Sequence, residues 1–272
     1  MDGVNASDYL GLVAFPGQVE VPPTRDRTQV RGAIPRIAGL RVDALTSRFN
    51  LSAADAVALK SREPVTTKAI IARECRTDAF NPTCPHEVIQ EGSSIADTLE
   101  HQAMLSLTGL GAVIDALSAV PGRKTLIVIS AGLPFSTGPG SKLNLAAETD
   151  TVARRAAAAN VNLYVLYMNI HFMRHFSAAF GRQNQSIFQD IGLFGYGLER
   201  FADTGGGALF QVEVDSDPFV DRILRETSAR YVLAVEARPQ DRDGKPHFIR
   251  VAVKQPGATV RHRRVVIIPR AG

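Results

Sequence analysis

Residues 124–132, KTLIVISAG, constrain the fold of this chain more than any other stretch. Pro121-Gly122 turns the backbone, Arg123 and Lys124 follow, and then five apolar or β-branched residues run without a break. A continuous apolar run ended by small residues reads as a strand buried on both faces. Such strands belong to the interior of parallel sheets, whose ligands bind at the carboxyl ends of the strands. Here that end is Ser130-Ala131-Gly132-Leu133-Pro134. What the chain does depends on whether this corner carries chemistry, and residue 131 offers it only a methyl group.

The flanking sequence supplies the rest of an α/β alternation. Residues 9–15 and 18–21 form a hairpin around Pro16-Gly17, and Asp26 caps a helix through Val30, Ala33 and Ile34 that Pro35 ends. Ser52-Ala53-Ala54-Asp55 has capping-box spacing and opens a helix through Leu59. From Pro85, the residues Ile95, Leu99, Ala103, Leu107, Leu110, Ile114 and Leu117 recur every three or four positions, which predicts one long helix weakened by Gly92, Gly109 and Gly111. Helix 145–160, strand 161–168, helix 191–202, strand 208–212 and a helix starting at Asp217-Pro218 follow. The expectation is a Rossmann-like, mostly parallel sheet with helices on both faces over residues 1–228. Residues 229–272 read as a three-strand antiparallel appendage (230–237, 248–254 and 259–268), turned by Asp243-Gly244 and Pro256-Gly257.

The composition excludes some function classes. Of 272 residues, 45% are apolar, which suits one large domain with an appendage. No run is long and apolar enough to span a membrane, and residues 1–5 lack the basic start and apolar core of a signal peptide. A net charge of +4 is mild, and the cluster Arg261-His262-Arg263-Arg264, with Lys245 and Arg250 upstream, reads as a solvated strand face and not as a surface for an anionic partner; no nucleic-acid partner is expected. Cys75 and Cys84 bracket a short polar loop. The pair fits a small disulfide in an oxidising compartment; free thiols and a metal site, for which only His86 lies near, are the alternatives.

Several motifs fall short of chemistry. Gly138-Pro139-Gly140-Ser141-Lys142 lacks phosphate-loop spacing, and His171 and His175 lack the glutamate of a zinc-protease helix. Gly205-Gly206-Gly207 reads as a tight turn. Ser130 sits at a strand end as a hydrolase nucleophile does, but without a G-x-S-x-G elbow or a local His or acid. Asn5-Ala6-Ser7 and Asn50-Leu51-Ser52 match the glycosylation sequon, a weak signal.

The order of several stretches carries a resemblance. Residues 8–15 lead into Thr24-Arg25-Asp26-Arg27; Pro121-Gly122-Arg123-Lys124 precedes the 125–132 run; Phe201-Ala202-Asp203-Thr204-Gly205-Gly206 precedes a strand; and Tyr231 to Val235, then 243–249, close the chain. Together they resemble a von Willebrand factor type A domain, in particular the VWFA-related subgroup found in acidobacteria, along nearly the whole length. The resemblance implies a protein-protein interaction or adhesion module, exported to the periplasm or beyond. It also implies a metal corner, and here the chain departs from the family. The family's first central strand ends in Asp-x-Ser-x-Ser, which residues 1–8 do not contain. Its later central strand ends Ser-Asp-Gly or Ser-Glu-Gly, where this chain has Ser130-Ala131-Gly132. Ser52 stands at the family's metal-loop threonine. Two hydroxyls and no carboxylate do not make a Mg²⁺ site. The expected protein is therefore non-enzymatic, without metal or cofactor, with an unknown protein partner and self-association through sheet edges that the missing first strand leaves exposed. The rival readings are a metal-dependent ligand-binding domain completed by residues upstream, and a Ser130 hydrolase.

Overall fold

The structure is a computed structural model that describes residues 3–15, 17, 19–38, 48–76, 81–134, 145–169, 187–228, 236–257, 260, 265–268 and 270. It begins with the antiparallel hairpin β1 (Leu10–Ala14) and β2 (Val19–Thr24). Asp26 accepts from the N–H groups of Thr28 and Gln29 and so starts α1 (Arg27–Ala33), whose Val30 and Ala33 pack on Val21. Ser52 and Asp55 form the expected capping box on α2 (Ala53–Ser61), which ends at left-handed Arg62.

α3 (Pro64–Glu74) is a helix that the sequence reading missed. Its marker is Pro64 at the first position, where the missing N–H costs nothing. A disulfide joins Cys75 to Cys84, with Cα atoms 6.0 Å apart, and ties the end of α3 to the start of α4 (Cys84–Ser118).

The body is a parallel sheet of order β3-β4-β5: β3 (Lys124–Ser130), β4 (Val161–Met168) and β5 (Ala208–Val212). α4, α5 (Ala146–Ala158) and α6 (Ile187–Thr204) cover one face, where Leu163, Val165 and Tyr167 meet Leu107, Ile114, Ala153 and Phe201. α7 (Asp217–Ser228) covers the other, where Tyr164, Leu166 and Phe210 meet Ile223. This is the α/β architecture with helices on both faces.

The expectation that 124–130 is buried on both faces is wrong. Every residue of β3 is at least partly accessible, and Ile129 is 70% exposed. The fully enclosed strand is β4, with Val161, Leu163, Tyr164, Val165, Leu166 and Tyr167 all buried. The physical reason is position: β4 has a strand on each side, whereas β3 pairs only with β4 among the described residues. The hairpin does not reach β3 and forms its own two-stranded sheet. It reaches the body through α4 instead. A Cβ on Gly109 would lie 2.5 Å from the Phe15 ring, and one on Gly92 would lie 2.3 Å from Leu59 of α2. The helix glycines expected to bend α4 are thus the places where its neighbours approach.

Only part of the expected carboxyl-terminal appendage falls among the described residues. Pro246–Phe248 (β6) pairs antiparallel with Val265–Ile267 (β7). Residues 249–254 do not continue the strand. Phe248 is solvent-exposed, and among the described residues these two strands have no layer to bury against. Most of the expected 230–237 strand lies outside the described residues. Among the described residues no helix is long and apolar enough to cross a membrane.

Candidate functional site

The corner after β3 closes on its own backbone. Ser130 Oγ accepts from Gly132 N at 3.2 Å and donates to Gly132 O at 3.3 Å. Gly132 has φ +138°, and a Cβ there would lie 2.6 Å from Phe194 Cβ, so only glycine passes. Leu133 N then donates to Phe194 O at 3.0 Å, which fastens the corner to α6. Ala131 is exposed and contributes no polar side-chain atom.

No hydrogen bond joins Ser52 to residues 130–132 among the described residues. Its Oγ accepts from Asp55 N at 3.0 Å, and its own N–H donates to Asp55 Oδ2 at 3.0 Å. Asp55 also accepts from Arg73 Nη2 at 2.8 Å, and Arg73 donates to Glu74 Oε1 at 2.6 Å. Glu74 Oε2 accepts from Asn50 N, which holds the segment before α2 against the end of α3.

A group that sequence reasoning missed stands at this junction. Asp190, in the first turn of α6 and buried, accepts from Ala54 N at 2.8 Å across 136 residues of sequence. The Ser52 hydroxyl and Ala53 N–H also support its charge, but burial outweighs all three donors, and Asp55 adds repulsion. Together these lift its carboxyl to about 6. Beside it, burial and the Asp190 charge push the Tyr167 phenol up to about 12. The Tyr167 hydroxyl is buried, with no hydrogen-bond partner among the described residues. No local motif marks Asp190. The nearest sequence cue is the capping box at Ser52, which announces a helix N-terminus where an anion is stabilised.

These donors do not fit the metal that the resemblance implies. Ser130 Oγ is turned onto Gly132, Ser52 Oγ is engaged by Asp55 and Asp190, and the side chain of residue 131 carries no oxygen. No group of three or more His, Cys, Asp or Glu side chains converges as a metal site among the described residues. Among the described residues the Ser130 hydroxyl hydrogen-bonds only to Gly132 and meets no base. The binding loops expected at the carboxyl ends of the strands are 131–142, 169–186 and Thr24; most of the first two lies outside the described residues, as do the glycine-rich motif at 138–142 and His171 and His175. At the opposite end of the sheet, a cleft of about 490 Å³ is lined by Asp115, Gly122, Lys124, Arg155 and Asn160. Its cations are engaged internally: Lys124 Nζ donates to Val120 O, and Arg155 pairs with Asp115.

No family model, no curated protein and no solved structure matches this chain. The fold and the geometry above therefore stand without a relative beside them.

Proposed function

We propose that the chain is a non-enzymatic interaction module of von Willebrand A type with a degenerate metal corner, working in an oxidising compartment outside the cytoplasm. The observation that carries this reading is the open edge of β3. A seven-residue apolar strand, charged only at Lys124, presents an unpaired edge among the described residues, with Ile129 70% exposed. Unpaired strand edges recruit other strands. By contrast, β2 carries Pro22 and Pro23, which remove donors from the hairpin. The β3 edge has no such protection, so it pairs with an added strand, from a partner or from a second copy. Ala131 and the internally engaged hydroxyls of Ser52 and Ser130 support a corner that binds by surface instead of by metal. The Cys75–Cys84 bridge supports the compartment.

Two measurements test this. Mg²⁺, Mn²⁺ and Ca²⁺ should leave the melting temperature unchanged, because a ion bound only by the folded state must raise it; a saturable micromolar site would restore the metal-dependent reading. Light scattering should show self-association, and an apolar strand and helix added ahead of residue 1 should raise both the melting temperature and the monomer fraction. A chain that is monomeric and sharply cooperative without the addition, and indifferent to it, would overturn the proposal.

A further inference from the structure

The two ends of the parallel sheet differ in cover. At one end β5 has Ala208, Phe210 and Val212 buried and only Gln211 exposed. At the other, Leu126 and Val128 of β3 turn to the core beneath α4, α5 and α6, and Ile127 turns to the α7 cluster. Thr125 and Ile129 share the side of Ile127 and stay exposed. Building on the open β3 edge proposed above, we infer that β3 pairs with the β3 of a second copy of this chain. The two strands run antiparallel about a two-fold axis between their Ile127 residues. Two three-stranded sheets then become one of six strands, in the order β5-β4-β3-β3-β4-β5.

The strand is complementary to itself in this register. Thr125 meets Ile129 of the second copy, Leu126 meets Val128, Ile127 meets Ile127 and Lys124 meets Ser130. Every interior pair is apolar or β-branched, the kind of side chain that packs well across neighbouring strands. Each exposed Ile129 gains a neighbour. All seven residues of β3 take part, and a slip of two positions either way takes two of them out of the ladder. A slip of one would set the two copies' faces against each other, which a two-fold axis through the sheet forbids. Charge decides the direction. A parallel pair would set Lys124 directly against Lys124 at about 5 Å, and like charges opposite each other destabilise a sheet. The antiparallel pair separates the two lysines by six positions, about 20 Å, more than twice the screening length at physiological salt. The contact uses the same edge on both copies, so it closes as a dimer and leaves no β3 edge to extend a fibre.

The experiment is disulfide trapping in the full chain. Cys75 and Cys84 are joined to each other, so one introduced cysteine is the only free thiol. Directly opposite residues of an antiparallel pair have Cα atoms about 4.5–5.5 Å apart, inside the range a disulfide spans. Under mild oxidation Ile127→Cys should give a linked dimer by itself. Thr125→Cys mixed with Ile129→Cys should give the mixed dimer. Ile129→Cys alone should not link, because the two copies of residue 129 lie four positions apart, about 13 Å. The mixed pair uses exposed positions, so it decides even if Ile127→Cys does not fold. Linking of Ile129→Cys alone to the same extent as the mixed pair would overturn the register. Association without trapping at either position would overturn the β3 dimer and leave the open edge standing. So would a chain that stays monomeric at all concentrations while its β3 amides exchange freely, since the edge would then await a different strand. Protected β3 amides in the monomer would overturn the dimer and the open edge together.

Discussion

β3 and β4 are near twins as sequences and opposites as structures. TLIVIS and LYVLYM are both unbroken apolar runs, and they pair in parallel register from Lys124 with Val161 to Ser130 with Tyr167. Yet six of the eight β4 residues are buried, whereas no residue of β3 is. Apolarity states that a strand gains by being covered; it does not state that a neighbour is present. The difference is supplied by β5, which pairs with β4 from Tyr164 with Ala208 to Met168 with Val212, while nothing among the described residues takes the corresponding place beside β3.

The comparison breaks most violently at Gly207. A Cβ there would sit 1.6 Å from Leu163 O, a backbone atom that cannot move without displacing β4. Gly207→Ala should cost more than about 4 kcal/mol, seen as failure to reach a folded state in denaturant titration. Next comes a matched pair. Leu163→Ala opens a cavity in the enclosed face and should cost about 2–5 kcal/mol. Ile129→Ala on the exposed edge strand should change stability by less than about 0.5 kcal/mol. Equal costs for the two would mean that β3 is covered after all. Reducing the Cys75–Cys84 bridge should lower stability by about 2–3 kcal/mol, as expected for a loop of this length. The parallel sheet should keep its near-native circular dichroism, because the bridge closes the α3–α4 joint and not the sheet. The smallest effect on stability, and the most specific on association, belongs to Ile129→Lys. It should leave melting almost unchanged while raising the monomer fraction in light scattering, since an edge charge blocks strand pairing.

Local chemistry was legible in the sequence and long-range pairing was not. Asp26, the Ser52–Asp55 box and Pro121-Gly122 each act within four residues, and each marks the element boundary it suggested. The ranking of β3 against β4 depends on what lies across the sheet, which an apolar run does not encode. Asp190 meets Ala54 across 136 positions, so its role exists only once α6 crosses the start of α2. α3 was missed for another reason: its polar, weakly amphipathic face hides the periodicity, and Pro64 alone announces it. In the corner, Ala131 was legible from sequence as a position with no side-chain donor, but not that the Ser130 hydroxyl would turn back onto Gly132.

The central claim is that β3 is an open edge awaiting a strand. Amide hydrogen exchange on the dilute, monomeric chain addresses it most directly. Backbone N–H groups of β4 from Tyr164 to Met168 lie between two strands and should be protected; in β3, alternate amides that point away from β4 should exchange within the fast regime of unpaired backbone. Their protection should appear only as concentration rises and chains associate. Uniform protection of β3 in the dilute monomer would contradict the account, because it would show that the edge is already paired within a single chain.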